Sequence, residues 1–480
     1  MGINPVTHLR KLGTTGLECH PLGFGCYRIH RGNRPHEEAL RAYLDRGGNL
    51  IDTSANYGDG MSEALVGLVL RDYPRERVVL VTKGGYIQGE NMKLALREDF
   101  PEIVRYGEGL WHCIHPEFLR SQIRRSLERL QSQKVDVYLL HNPEYFLTEK
   151  AHHLAPTQAD HDEFYRRIRE AFRFLESEVM ERRIAWYGIS SNNFGGPAGD
   201  PTTTSVRRCL QEAASVTGDH HFRFIQLPMN LYEPGGALET ENDGKSVLEF
   251  CRHNDIAVLV NRPLNAFHRN RLIRLADFVS PGQPPPPPEA LGSRLAPLHD
   301  LEMRLAHELQ LPLLQGKGLA SLLQEIVPQL QSQAHWEQVA GPHVIQPLQA
   351  WLGEMQARFA QDMRWQAWVQ ELAALINPLF EEIGRFVCAR EQPVSDAVRA
   401  ALHMAGYPET RETLSRMALN VLVNTPGVAC VLNGMRRVEY VADAMGVPDL
   451  PSVKGIEILA RFARDDEHRG GRVNLTAGAQ

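Results

Sequence analysis

The chain has 480 residues, 43% hydrophobic and 23% charged, with a formal net charge of −6. That length fits one large domain with an insertion, or two domains, and the balance of charge gives no reason to expect a nucleic acid as partner. Seven scattered cysteines without zinc or redox spacing, no metal-site setting, no apolar signal core over residues 1–11 and no stretch long enough to span a membrane together predict a cytoplasmic protein with reduced thiols.

Short runs rich in Val, Ile and Leu alternate with segments of helical periodicity. A hairpin is predicted over 9–17, with Gly13 and Gly16, followed by a strand over 20–26 and a helix over 36–45. The second strand ends at Asp52 and precedes a helix over 62–70. The third, 78–83, ends in Thr82-Lys83, and a long connection over 84–115 leads to a helix over 116–130. Strand four, 135–141, ends at His141, and a helix over 160–181 follows. Strands over 185–190, 224–228 and 257–260 come next. After a long interruption, a helix over 412–423, a strand over 428–432 and a helix over 438–445 complete the series. Eight buried strands alternating with helices predict the α/β class and a (β/α)₈ TIM barrel with an inserted all-helical segment.

The predicted division is 1–280 for the first part of the barrel, 281–395 for a spacer and helical insertion, 396–465 for the closing part, and 466–480 for a flexible tail. Prolines 284–288 form a stiff, extended run. Beyond it, apolar residues recur every three or four positions, and Trp336, Trp351, Trp365 and Trp368 lie among them. This stripe reads as the core of a small helical bundle. The alternative is an exposed lid or docking face for a second copy or a protein partner.

In a closed barrel the carboxyl ends of the strands build the active site. Three of them deliver Asp52 with Tyr57, Lys83, and His141 to one rim. Each residue alone also reads as a cap, a loop residue or a solvated side chain. In carbonyl chemistry, the reaction implied by their resemblance to a known reductase family, the developing oxyanion must be stabilised and protonated. A phenol with pKa about 10 is a poor acid at neutral pH unless a cation stabilises its phenolate. Lys83 would do this for Tyr57, and Asp52 would hold the ammonium. His141 would donate a hydrogen bond to the substrate oxygen.

The chain resembles the aldo-keto reductase family in Leu22-Gly23-Phe24-Gly25, Ile51-Asp52-Thr53-Ser54, Tyr57-Gly58, Ser62-Glu63, Thr82-Lys83, the stretch 136–141, Gly188-Ile189-Ser190, Gln226, Pro263-Leu264 and Gly434. The resemblance implies that Asp52, Tyr57, Lys83 and His141 are the catalytic tetrad. It also implies a nicotinamide dinucleotide bound across the barrel mouth, with no G-x-G-x-x-G loop, and a small-molecule carbonyl or alcohol as substrate. Cofactor contacts then fall on Ser190, Ser191, Gln226, Asn261, Arg262, Pro263, Leu264, Gly434, Met435, Arg436 and Tyr440. Asn261 stands where the family stacks an aromatic ring, and Ser191 where it has Asn. Arg262 either grips a phosphate or carboxylate or pairs with a neighbouring carboxylate. Arg269, Arg271 and Arg274 follow strand seven, where the family wraps the pyrophosphate; a solvated helix face is the other reading. Arg436 at a helix start favours NADP(H), with NAD(H) left open. The expected function is NAD(P)H-dependent hydride transfer with Tyr57 as general acid/base. A nucleotide-binding sensor or docking subunit with little turnover is the alternative, and another reaction on the same barrel, such as an isomerisation, is a third reading.

Overall fold

The computed structural model describes residues 8–197, 199–269, 271–279 and 290–470. Eight parallel strands close into a barrel: β1 Leu22–Gly25, β2 Leu50–Asp52, β3 Val79–Gly84, β4 Val135–His141, β5 Ile184–Ser190, β6 Phe222–Pro228, β7 Ala257–Asn261 and β8 Val428–Asn433. Each strand pairs with its neighbours in chain order, and β8 pairs with β1 to close the ring. Every residue of β3 and β4 is buried. Burial on both faces calls for continuous apolar runs, which is why the strands do not alternate in sequence.

Leu50, Val79, Val81, Val137, Leu139, Phe224, Leu259, Cys430 and Leu432 point into one interior cluster. Leu12 joins it, fully buried, from the hairpin of Arg10–Lys11 and Glu18–Cys19. The hairpin thus seals the amino-terminal end of the barrel. Gly13 makes its turn at φ +57, where a Cβ would lie 2.5 Å from the Asp255 carbonyl oxygen, so no other residue fits.

The outer layer comprises α1 Arg34–Asp45, α2 Met61–Leu70, α3 Pro116–Leu130, α4 Gln158–Met180, α5 Val206–Val216, α6 Val247–His253, α7 Leu414–Val423 and α8 Val438–Met445. The α4 start is fixed by a capping box between Thr157 and Asp160. Helices α5 and α6 have no counterpart among the predicted elements. The buried face of α5 is carried by Val206, Cys209 and Ala213, a helical i, i+3, i+7 spacing that the predicted elements omit, and α6 has seven residues. The long connection after β3 also has structure. It holds the helix Glu90–Glu98 and a three-stranded sheet of Tyr86–Ile87, Leu110–His112 and Val104–Gly107, over a cluster that includes Ile87, Leu94, Phe100 and Phe118.

Two expectations change beyond β7. Arg271 and Arg274 lie on an antiparallel hairpin, Asn265–His268 with Arg271–Arg274, rather than on a helix, and Arg269 at its turn donates to the Asp466 carbonyl at 3.3 Å. The helix Gly455–Gly470 runs across position 465, where the tail was expected to begin. Residues 471–480 lie outside the described residues.

The chain divides into two compact units, Met1–Leu275 with Ala401–Gln480, and Ala276–Ala400. The second is helical, with Ala290–Leu309, Leu319–Ile326, Gln333–Val339, Gln346–Phe359, and Met363–Met404 as far as Ala400. Its core gathers Leu298, Leu301, Trp365, Trp368, Ile383 and Val387. Trp365 and Trp368 stack at 5.4 Å with Trp351 edge-on to both, and the Trp368 indole donates to the Leu301 carbonyl at 3.1 Å. The tryptophan stripe is therefore this unit's own interior and not an open docking face. The proline run 284–288 lies outside the described residues.

Candidate active site

Strand register determines which side chains meet at the carboxyl ends. Asp52 pairs with Val81, Lys83 with Leu139, and Ser190 with both His141 and Gln226. Tyr57 enters on the 3-10 turn Tyr57–Gly60 that follows β2. The structure brings all four of Asp52, Tyr57, Lys83 and His141 together.

Lys83 is fully buried. Its ammonium donates to Asp52 Oδ2 at 2.8 Å, to the Thr53 carbonyl at 2.9 Å and to Tyr57 OH at 3.3 Å, which uses all three of its protons. Burial works against that charge, but Asp52 and Tyr57 outweigh it, so the Lys83 pKa ends above its ordinary value. For Tyr57 the balance differs. Burial pushes its phenol up to about 12 even though Lys83 pulls it down. The expected lowering of the phenol by Lys83 is thus outweighed, and Tyr57 holds its proton at neutral pH.

His141 is buried, and its basicity falls well below the usual imidazole range through burial, with Lys83 and His112 adding to the effect. It is therefore neutral. Its Nδ1 lies 3.0 Å from Ser54 Oγ. The Tyr86 ring packs edge-on to the imidazole at 4.6 Å, and His112 Nε2 donates to the His141 carbonyl at 2.7 Å. A Cβ on Gly85 would lie 2.7 Å from His112 Nε2 and 2.8 Å from that carbonyl, so the contact depends on glycine. Asn142 donates to Tyr86 OH at 2.7 Å. Beneath Lys83, the buried Glu63 accepts from Thr82 at 2.6 Å and from Arg129 at 2.7 Å, tying β3 to α2 and α3.

Glu144 follows β4 and is buried. One carboxylate oxygen accepts the Asn192 N–H at 2.8 Å, and the other has no hydrogen-bond partner. Burial lifts its pKa to about 7 against the opposing pull of Asn192.

The residues expected at the cofactor separate into two groups. Ser190 Oγ and Asn261 Nδ2 donate to Gln226 Oε1 at 3.2 and 3.0 Å, while Gln226 Nε2 donates to Asp52 Oδ1 at 2.8 Å. Gln226 is therefore engaged with the tetrad. Asn261 Oδ1 is buried with no partner. Ser191 turns into its own loop, donating to Thr204 Oγ1 at 3.2 Å. Arg262 pairs with Glu233 at 3.1 Å, which is the carboxylate alternative rather than the phosphate grip. Pro263 is buried and Leu264 half-buried, and the Leu264 carbonyl accepts the Leu275 N–H at 2.9 Å. After β8, Gly434 is exposed and Arg436 half-buried, and Tyr440 is exposed. The Met435 side chain is fully buried, so Met435 can offer a ligand only its backbone. The start of α8 at Arg437 has no side-chain cap, which leaves its N–H groups for an anion.

Sequence reasoning names Ser54 only within a motif and misses its contact with His141, the burial of the Glu144 carboxylate and the Asp52 contact of Gln226. The antiparallel pairing of Tyr86 with His112, which lines His141 with rings, has no local signal either. Among the described residues no cluster of three or more His, Cys, Asp or Glu is suited to a metal, and no helix is long and apolar enough to cross a membrane.

The model of the Aldo/keto reductase family matches residues 21–271, more than half of the chain. The probable aldo-keto reductase 1 of Glycine max is 33% identical over 260 residues, 53% of this chain and 58% of the relative. The NADH-specific methylglyoxal reductase of Escherichia coli is 30% identical over 263 residues, 53% of this chain and 66% of the relative. The chain thus spans less than two thirds of the length of these relatives. An aldo-keto reductase from Bacillus halodurans shares the fold at a TM-score of 0.50 and 16% identity, over 95% of this chain and 96% of that one. The glycerol dehydrogenase of Gluconobacter oxydans does so at 0.50 and 16%, over 99% and 100%. The chain belongs to the aldo/keto reductase family.

Proposed function

We propose that the chain is an NAD(P)H-dependent oxidoreductase that reduces a carbonyl, or oxidises an alcohol, with Tyr57 as general acid/base. The observation that carries this reading is the Lys83 ammonium joined to both Asp52 and Tyr57 OH beside a neutral His141. When bound, the nicotinamide supplies or accepts the hydride. The residues do the rest. Charge gathers on the substrate oxygen during reduction, and the protonated Tyr57 hands its proton to that oxygen. Lys83 stabilises the phenolate left behind, Asp52 keeps Lys83 charged, and His141 hydrogen-bonds the same oxygen. In oxidation the proton returns along the same path.

The residues fit a dinucleotide. Asn261 Oδ1 and the Ser190 hydroxyl suit the amide end, and the uncapped α8 with Arg436 suits a phosphate. Arg436 makes NADP(H) the favoured cofactor, with NAD(H) open, since the Escherichia coli relative is named as NADH-specific. A cytoplasmic location agrees with seven free cysteines. Any homo-oligomer or protein partner would meet the helical insertion through its outer surface, since its tryptophan stripe is its own interior.

Titrating the pure protein with NADPH and NADH, followed by nicotinamide fluorescence, and then assaying para-nitrobenzaldehyde tests the proposal. Binding with turnover supports it. Failure to bind either cofactor overturns it, and binding without turnover of any aldehyde or ketone would favour a nucleotide sensor.

A further inference from the structure

The helical unit holds a cavity of about 310 Å³, within the range of about 300–1,000 Å³ usual for small-molecule sites. Its floor is apolar. Leu322 and Ile326 come from the helix Leu319–Ile326, Leu330 follows the 3-10 turn Val327–Gln329, and Val339 ends the helix Gln333–Val339. Its polar lining is amide and imidazole only, with no carboxylate and no ammonium. His335 Nδ1 accepts the Gln331 N–H at 3.4 Å, so the neutral ring carries its proton on Nε2. The His343 side chain has no hydrogen bond or ion pair among the described residues. Charge beside the floor is positive on balance. Glu325, next to Ile326, is held by Lys317 at 2.5 Å, whereas Arg390 donates to the Leu330 carbonyl at 2.7 Å and meets no carboxylate among the described residues.

Two backbone irregularities carry this lining. Pro342 and Pro347 lack the N–H that a regular helix would bond to the carbonyls of Gln338 and His343. The turn before the helix Gln346–Phe359 widens accordingly into a π-helix, Ala340–Ile345, which bears His343. Such turns are rare and recur at functional sites. Gln315, on the 3-10 turn Leu314–Gly316, lines the same cavity at φ +49. That left-handed conformation is uncommon for a residue with a side chain, and glycine would hold it with less strain. We propose that this cavity is a binding site for a small carboxylate with an apolar tail. The tail lies against Leu322, Ile326, Leu330 and Val339, and the carboxylate accepts from His335, His343 and the Gln315 amide. Burying hydrocarbon on the floor supplies affinity, and the head group supplies specificity. A carboxylate accepts from all three donors at once, whereas an ammonium brings only donors of its own and meets the charge of Arg390. The site lies wholly within the helical unit and does not depend on the reaction assigned to the barrel.

Isothermal titration of the full chain with octanoate tests the proposal, with octanol and octylammonium presenting the same tail on other head groups. Octanoate should saturate one site per chain and bind about 10-fold more tightly than either control, the scale of a hydrogen bond to a charged group. The double variant His335→Ala/His343→Ala should weaken octanoate by about 10-fold or more. Gln315→Gly relieves the left-handed backbone, so its unfolding midpoint should match or exceed that of the wild type while octanoate binds about 3- to 10-fold more weakly. Lost affinity with unimpaired stability is a result that a merely structural role would not give, and this variant keeps the test open if the double histidine variant does not fold. Weakening in either variant supports the site. Failure of octanoate to saturate overturns the proposal, and so does octanol or octylammonium binding as tightly. An affinity unchanged in both variants also overturns it, since octanoate would then bind elsewhere on the chain.

Discussion

Gln226 Nε2 donates to Asp52 Oδ1 at 2.8 Å, the carboxylate oxygen that Lys83 does not take. The two residues are 174 positions apart, on β6 and β2. Asp52 is buried, and each of its oxygens therefore has one short donor. A buried carboxylate is costly unless it is paired and its remaining lone pairs are met. Gln226 in turn accepts from Ser190 and Asn261, so the amide links the tetrad to the ends of β5 and β7.

Gln226→Met should therefore destabilise the protein. It removes one hydrogen bond to a buried charge and leaves Asp52 Oδ1 unmet, which costs about 1–3 kcal/mol. Urea unfolding should show the midpoint falling with an unchanged slope. A midpoint equal to the wild type would mean that water or another donor replaces Gln226.

Tyr57→Phe should lower carbonyl reduction by about 10²–10⁴-fold, the usual weight of a general acid. NADPH affinity should stay within a factor of about two, since the transferred proton matters only in the transition state. Near-normal reduction by the variant would remove Tyr57 from the role of acid.

Glu144 gives a stability prediction with a definite sign. Its pKa in the folded chain is about 7, against an ordinary value of 4.5. The folded state thus holds a proton that the unfolded chain has released between those two values. Stability from this group is complete below about pH 4.5 and is lost as pH rises to about 7. The span is worth about 3 kcal/mol. Glu144→Gln keeps an oxygen for the Asn192 N–H and cannot titrate, so its unfolding free energy should fall less than the wild type between about pH 5 and 8. Comparing the two proteins cancels other groups, including Glu241, whose pKa burial also raises to about 7. Parallel pH curves would show that Glu144 is ionised in the fold throughout.

The barrel is legible because its strands must be apolar on both faces, so 135–141 and 78–83 stand out as continuous runs that end in His141 and Lys83. The polar ends are legible as well, since Lys83 and His141 close runs that are otherwise largely apolar. What lies between elements is less so. The Gln226 contact with Asp52 and the ion pair of Arg262 with Glu233 join residues whose nearness comes only from barrel closure and loop path. Helix α5 does carry a helical pattern, with Val206, Cys209 and Ala213 on one face, so its eleven residues between two strands are legible in the sequence although the predicted elements omit them. The connection 84–115 looks like loop because its strands are two to four residues long, below the length at which alternation can be recognised.

Arg436→Ala should weaken NADPH binding more than NADH binding, by about 1.5–3 kcal/mol, the range of a hydrogen bond to a charged group. Arg436 stands just before α8, whose first N–H groups lack a side-chain cap. The helix start attracts any phosphate, whereas the guanidinium adds a contact that only the 2′-phosphate can use. Fluorescence titrations of both cofactors on both proteins separate the two contributions. Equal losses would assign Arg436 to a phosphate common to the two cofactors, and a wild type that prefers NADH would end the case for NADP(H).

Removing 276–400 and joining Leu275 to Ala401 through a short Gly/Ser linker should leave a folded barrel that binds dinucleotide. Each unit has its own interior. The barrel cluster runs through Leu50, Val137, Leu259 and Leu432, and the helical cluster through Leu301, Trp365, Trp368 and Ile383, with no residue in common. The closing α7 and β8 lie wholly within the barrel unit. Loop closure depends only weakly on loop length, so replacing the helical unit by a linker costs little in entropy. Far-ultraviolet circular dichroism should lose helix while unfolding stays cooperative, and NADPH titration should still saturate. Kinetics and light scattering on the shortened chain then show what the helical unit contributes. A changed Michaelis constant or a changed mass would assign it to substrate access or assembly, and an unfolded product would mean that the barrel depends on the helical core for its stability.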